Sequence, residues 1–447
     1  MSPRASRLPA DPEVGTIAGL NHDGAGVVRG AKAAFVPGAL PGEEVRFARR
    51  QRHRQHDDAE LIEVLQPSPD RVEPRCSHFG VCGGCALQHM APAAQLLAKQ
   101  AELAEALQRI GRVEPEAWFE PLAGPQWAYR RRARLGAKYV PKRGRVLVGF
   151  RERAKPYVAA LSGCEILAPP VGRLIEPLSQ MLTGMSTRES IPQVEVAVGE
   201  GATVLVFRVL VELPAADLEA LRAFERTHGV HAFLQPGGLD TVRPLSPPGP
   251  RLAYALPRFG LELEFEPVDF VQVNGELNRA LVARAVELLD CGPGDRVLDL
   301  YCGLGNFTLP IARTGAAVVG VEGDAGLVAR ARRNAARHGL DGASFAVADL
   351  ASAEPGSRPW LAGPYTHVML DPPRAGALQM LPAVAALEAR RVVYVSCHPG
   401  SFARDLGLLC GEHGYRLRGA GVVDMFPHTT HVESIAVLER PSGRWRG

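Results

Sequence analysis

A chain of 447 residues with 46% hydrophobic and 22% charged residues has the composition of about three folded domains, and not of a disordered or fibrous protein. No apolar run reaches the roughly 18 residues of a membrane span, and the opening MSPRASRLPADPEVG lacks the apolar stretch of a secretory leader, so a cytoplasmic protein is expected. A net charge of +3 decides little, whereas eight cysteines in a reducing compartment are expected to serve metal binding or catalysis where they cluster, not a disulfide framework.

Residues 11–67 alternate short apolar runs with turns at Gly24, Gly26, Gly30, Gly38 and Gly42. That spacing predicts a five-stranded barrel of the OB type, a shape suited to nucleic acid. A basic run, RFARRQRHRQH, lies within it at 46–56, and the Pro-punctuated QPSPDRVEPRC then reads as a linker. At 76–89 the chain reads CSHFGVCGGCALQH. The C-x5-C-x2-C spacing around Gly83 and Gly84 draws Cys76, Cys82 and Cys85 together and requires a fourth ligand. His78, His89 or the distant Cys164 could supply it, and four thiolates would suit zinc or an iron–sulfur cluster equally.

Apolar residues at helical spacing predict a helix from about 92 to 110, ending at Gly111. Between Tyr129 and Tyr157 eleven Lys/Arg stand against one acid, Glu152, with Tyr139 and Phe150 interleaved. Such a run fits phosphates and stacking surfaces better than an ordinary solvated face. Residues 120–265 read as a mixed region with strands such as VEVAVG and ATVLVFRVL.

From about 266 onward strands and helices alternate, which predicts a doubly wound, mostly parallel sheet with ligands at the carboxyl ends of its strands. In RVLDLYCGLGNF a buried strand runs into Gly303 and Gly305, with a helix starting near Asn306. The next strand, AVVGVE, ends on Glu322 about 20 residues later, where a carboxylate can accept both ribose hydroxyls. Asp349 in VADL and Asp371 in VMLDPPR fall on the same rim. One short glycine pair without a full G-x-G-x-x-G favours S-adenosylmethionine over NAD.

RVVYVSCHP at 391–399 places Cys397 where a strand hands over to its loop. A lone cysteine there is as readily explained by packing, and Cys291, Cys302 and Cys410 are read as packing residues. On a methyl-donor rim a thiol has a chemical use. Carbon 5 of uracil is a poor nucleophile until a thiolate adds to C6, and a base must then remove the extra C5 hydrogen. In DMFPHTTHVESIAVL, Glu433 opens a strand-like element after His428 and His431.

VLDLYCGLGNFTLPIA, DPPRAG, VYVSCHP and DMFPHTTHVESI resemble the RNA uracil-5-methyltransferase family over nearly the whole chain. A barrel resembling a TRAM domain together with a cysteine cluster is most similar to the branch that modifies 23S rRNA. The resemblance implies Cys397 as nucleophile and Glu433 as base, with cofactor contacts from Gln272, Tyr301, Asn306, Glu322, Asp349 and Asp371. It also implies a [4Fe–4S] cluster on Cys76, Cys82, Cys85 and Cys164. The C-x5-C-x2-C spacing and the fourth cysteine argue against a radical enzyme, which usually shows C-x3-C-x2-C. One departure from the family stands at His398, where Asn is common.

The expected organisation is a barrel at 11–67, a central domain with the cluster and basic segment at 70–265, and a Rossmann-like class I methyltransferase domain at 266–447. The expected partner is 23S rRNA, with no membrane and no obligate protein partner, the chain being a monomer. The rivals are the same chemistry on the T-loop uridine of tRNA or on another 23S uridine, and a non-catalytic RNA-binding assembly factor. A factor of that kind would have no need of both Cys397 and Glu433.

Overall fold

The computed structural model describes residues 11–352 and 358–441. Residues 1–10, on which most of the leader expectation rests, lie outside the described residues, as do 442–447 at the end of the expected methyltransferase domain. Among the described residues no helix is long and apolar enough to cross a membrane.

Strands β1 (Glu13–Leu20), β2 (Ala25–Val28), β3 (Ala33–Pro37), β4 (Glu44–Arg52) and β5 (His56–Gln66) close into a barrel in the order β1-β2-β3-β5-β4. Alternation sends Ile17, Val28, Val36, Val45 and Phe47 inward, where all are buried. The basic run at 46–56 lies largely on β4, and much of its charge is spent in ion pairs between the barrel's own strands. Arg46 pairs with Glu63, Arg50 with Glu60, and Arg49 with both Glu13 and Asp57. Strand pairing sets the acids of β1 and β5 beside these arginines, a compensation that a count along the chain does not see.

Helix α1 (Pro92–Ala106) continues as a π turn through Gly111. It packs on the C-terminal unit, with Leu103 and Leu107 buried beside Phe402 and Leu406. A Cβ on Gly111 would lie 2.5 Å from the carbonyl oxygen of Ala403, so glycine permits this close crossing. A six-stranded sheet follows, built from β6 (Arg132–Val140), β7 (Arg145–Gly149), β8 (Gln193–Val198), β9 (Thr203–Arg208), β10 (His231–Gln235) and β11 (Arg243–Pro244) in the order β11-β10-β9-β8-β6-β7. Helices α2 (Ile175–Gly184) and α3 (Ala215–His228) accompany it. The basic segment is partly spent here too, since Arg134 bonds Glu195 at 3.0 Å and Arg145 bonds Glu176 at 2.7 Å. Arg151, Lys138 and Lys142 remain exposed.

A hairpin, β12 (Ala253–Leu256) and β13 (Leu261–Glu264), leads to helix α4 (Gly275–Leu289). Asn274 caps α4 by accepting the Leu277 N–H at 3.2 Å. The remaining elements are β14 (Arg296–Leu300), α5 (Thr308–Ala312), β15 (Ala317–Glu322), α6 (Ala325–Arg337), β16 (Ala343–Val347), β17 (His367–Leu370), α7 (Leu381–Ala386), β18 (Arg391–Ser396), α8 (Pro399–Gly411), β19 (Arg416–Val423) and β20 (Glu433–Glu439). The seven strands run β16-β15-β14-β17-β18-β20-β19, parallel except that β20 is antiparallel to both its neighbours. This is the class I methyltransferase arrangement. One hydrophobic cluster runs through both sheets, joining Val204 and Val206 of β9 to Leu281 of α4 and Val393 of β18.

Candidate active site and cysteine cluster

The parallel register aligns the strand ends. Leu300 lies beside Val321 on one side and Leu370 on the other, and Leu370 lies beside Tyr394. Tyr301, Glu322 and Asp371 each follow by one residue, so all three emerge on one rim. Tyr301 (φ 65), Gly303 (φ 55) and Gly305 (φ 95) take the left-handed backbone needed to turn sharply above β14. The helix after this turn starts at Thr308, two residues beyond the predicted start. Glu322 is held by backbone donors: Gly303 N–H reaches one oxygen at 3.1 Å, while Gly323 and Asp324 N–H reach the other at 2.7 and 3.1 Å.

Asn306 forms a reciprocal amide pair with Asn278 at 2.9 and 3.0 Å and accepts the Tyr254 hydroxyl at 2.9 Å. Gln272 lines a cavity with Tyr254 and Asn278, which brings it to the same corner. Asp349 is exposed two residues beyond β16 and accepts the Ala351 N–H at 2.9 Å. Beneath the turn, Asp299 is fully buried, with one oxygen bonded by Thr308 and the other without a partner. Its carboxyl is pushed up to about 7 by burial. A glycine turn, an oriented carboxylate and an unpartnered buried oxygen together fit a nucleoside with a charged tail.

The thiol and the carboxylate meet through an antiparallel register. Ser396 of β18 pairs with Ser434 of β20, so the next position out sets Cys397 across from Glu433. Glu433 is also paired with Val423 on β19 and is 3% exposed. Burial, then the charges of Glu433 and Asp371, push the Cys397 thiol up to about 11, while Arg374 opposes them. Burial pushes Asp371 up to about 7, and burial with the Asp371 charge drives Glu433 well above the carboxylate range. A buried, strongly basic carboxylate beside a thiol can take a proton from a carbon acid.

His398 turns away from ionising the thiol. Its Nδ1 accepts the Ser401 N–H at 3.1 Å and caps α8, and burial lowers its pKa so that the ring is neutral. The imidazole therefore does the work of an asparagine cap.

Cys76, Cys82, Cys85 and Cys164 line one cavity. Burial, reinforced by the neighbouring thiols, pushes Cys82 up to about 11 and Cys85 up to about 12, so four thiolates here call for a cation. The loop is pinned by Cys82 N–H to His78 O at 2.9 Å and Gly83 N–H to Arg151 O at 2.8 Å. His78 is turned to Ser162, whose N–H it accepts at 3.0 Å. Among the described residues, the one group of three ligand atoms lying within 4.8 Å of one another is His53, His56 and Asp58 on the barrel. No three of the four cysteine sulfurs are that close.

Sequence reasoning missed Arg374 beside the thiol, Tyr254 and Asn278 behind Asn306, and a set of contacts on the segment before Glu433. The arginine of DPPR and a lysine on the buried face of α1 were the available signals. The rest depend on residues far apart in the chain.

Residues 260–441 match the family model described as tRNA (Uracil-5-)-methyltransferase. A relative from Nitrosococcus oceani, named 23S rRNA (uracil(1939)-C(5))-methyltransferase RlmD, is 51% identical over 98% of each chain. A relative of the same name from Alkalilimnicola ehrlichii is 50% identical over 98% of this chain and 99% of its own. Among solved structures, the Pyrococcus abyssi tRNA (uracil-54, C5)-methyltransferase in complex with S-adenosyl-L-homocysteine is similar, with a TM-score of 0.73 and 25% identity over 95% of this chain and 100% of that one. With half of its residues shared along nearly its full length, the chain belongs to the RNA uracil-5-methyltransferase family.

Proposed function

We propose that the protein transfers a methyl group from S-adenosylmethionine to C5 of a uridine in 23S rRNA, the position that the relatives' names give as 1939. The observation that carries the reading is the register that sets Cys397 across from Glu433 at the rim of a methyltransferase sheet. S-adenosylmethionine, bound through Gln272, Tyr301, Gly303, Asn306, Glu322, Asp349 and Asp371, supplies an electrophilic methyl group there. Cys397 adds to C6 of a uridine turned out of its stack, since neither C5 nor C6 is accessible within it. The added thiolate makes C5 nucleophilic. After methylation Glu433 accepts the C5 proton, the C5–H electrons restore the C5–C6 double bond, and the sulfur leaves C6.

The barrel is read as a TRAM-like RNA-binding module, the central region as an RNA platform that works in the cytoplasm, and the C-terminal unit as the catalytic one. Exposed Arg151 and the barrel's Asn21 and His22 share one groove with Thr430 and His431 of the catalytic loop, which supports an RNA path across the units. Cys76, Cys82, Cys85 and Cys164 would hold a [4Fe–4S] cluster that orders this platform. Zinc could take the same four thiolates, and the choice of the cluster rests on the family resemblance.

The test is to incubate the protein and S-adenosylmethionine with 23S rRNA fragments and, separately, with unmodified tRNA, and to read nucleosides by mass spectrometry. 5-Methyluridine in 23S RNA alone is expected. The same product in tRNA would overturn the substrate, and no product in either would favour a binding factor.

A further inference from the structure

The segment 424–432, which joins Val423 to Glu433, is mostly buried, with Phe426 and Thr430 half-buried and His431 exposed, yet forms no helix or strand. Buried backbone needs partners, and here many come from residues about three hundred positions earlier. Lys99 on α1, itself 2% exposed, bonds Asp424 at 2.6 Å and donates to the Phe426 carbonyl at 3.0 Å. The Tyr129 hydroxyl donates to the Pro427 carbonyl at 3.1 Å. Gln95, 1% exposed, accepts the His428 N–H at 2.9 Å, and its amide nitrogen lies 3.3 Å from His428 Nδ1. The His428 carbonyl accepts two further bonds, from Ala86 and Leu87 N–H at 2.8 and 2.9 Å, directly after Cys85. His428 takes a left-handed φ of 65°, a conformation that outside glycine needs such support.

We infer that Gln95, Lys99 and Tyr129 are positioning residues for Glu433, acting through the 424–432 segment, so that they govern release of the methylated uridine rather than its methylation. The inference rests on the reading of Glu433 as the base. Methyl transfer needs Cys397, one residue beyond β18, a strand held on one edge by β17 as well as on the other by β20. Release needs a carboxylate aligned on the C5 hydrogen: the proton passes to Glu433, the C5–H pair becomes the C5–C6 π bond, and the C6–S pair returns to sulfur. An error of about 1 Å in such an alignment costs about a hundredfold in rate. Glu433 opens β20 at the end of this segment, so slack there reaches the carboxylate first.

The test compares the full-length protein with Gln95→Met, Tyr129→Phe and Glu433→Gln in single turnovers on a 23S rRNA fragment. Two quantities are read: total methyl incorporated into RNA, and RNA bound covalently to protein after denaturation. Gln95→Met should methylate within about threefold of the parent but release product at least tenfold more slowly, with covalent RNA accumulating. Tyr129→Phe, which deletes one hydrogen bond and little volume, should show the same pattern at about threefold and keeps the test open if Gln95→Met does not fold. Methylation and release falling together in the folded variants, with no covalent RNA, would overturn the inference. Covalent RNA absent from Glu433→Gln as well would instead overturn the assignment of the base.

Discussion

The free protein should hold Cys397 as an unreactive thiol at neutral pH. Burial and the charges of Glu433 and Asp371 set its pKa at about 11, against an ordinary value of 9.0, and that gap is about a hundredfold in thiolate at a given pH. At pH 7.5 about one molecule in three thousand would carry the thiolate. Asp371 titrates at about 7 and Glu433 is driven well above the usual range, and the negative charge of each opposes ionisation of the thiol. Removing either negative charge favours the thiolate, so Asp371→Asn and Glu433→Gln should each move the Cys397 titration to lower pH. Arg374→Gln removes the opposing positive charge and should move it higher. The assay is a pulse of iodoacetamide between pH 7 and 11, with alkylation of the Cys397 peptide read by mass spectrometry. An inflection below about 8.5 in the parent, or no response to Glu433→Gln, would refute the reasoning.

His398→Asn should keep full activity and stability because asparagine caps helices at least as well, whereas His398→Ala should cost about 1 kcal/mol in a urea melt. Lys99→Met leaves Asp424 charged and buried, at a cost of about 3–5 kcal/mol, and adding Asp424→Asn should recover most of it; additive losses in the double variant would deny the pair. Removing the cluster proposed for the cysteine site with a chelator, with iron content followed, should speed amide exchange across 424–433, because the Ala86 and Leu87 N–H groups that hold His428 sit beside Cys85. Exchange unchanged after iron has gone would separate the two sites.

The barrel and the parallel sheet were legible because period-two runs, glycine turns and alternating strands are local signals. RVLDL, AVVGVE and RVVYVS became β14, β15 and β18 with nearly the bounds read from sequence. The start of α5 was misplaced by two residues, since the left-handed turn of 301–305 delays the first helical residue. The helix read to 110 stays α-helical only to Ala106, where the close crossing with α8 at Gly111 and Ala403 converts its last turn. Cys397 and Glu433 each stood out alone, but their facing position depends on β20 entering antiparallel between β18 and β19. No periodicity encodes that. The basic runs were visible as charge and invisible as ion pairs, because Glu60, Glu63 and Glu195 approach from other strands.

The most direct test of the account is to mix Glu433→Gln protein with S-adenosylmethionine and a 23S rRNA fragment, denature, digest, and map any nucleotide-bearing peptide. The account predicts a methylated uridine bound to the Cys397 peptide and none with Cys397→Ala. A freely released 5-methyluridine product from both variants, or a nucleotide on a different cysteine, would contradict it.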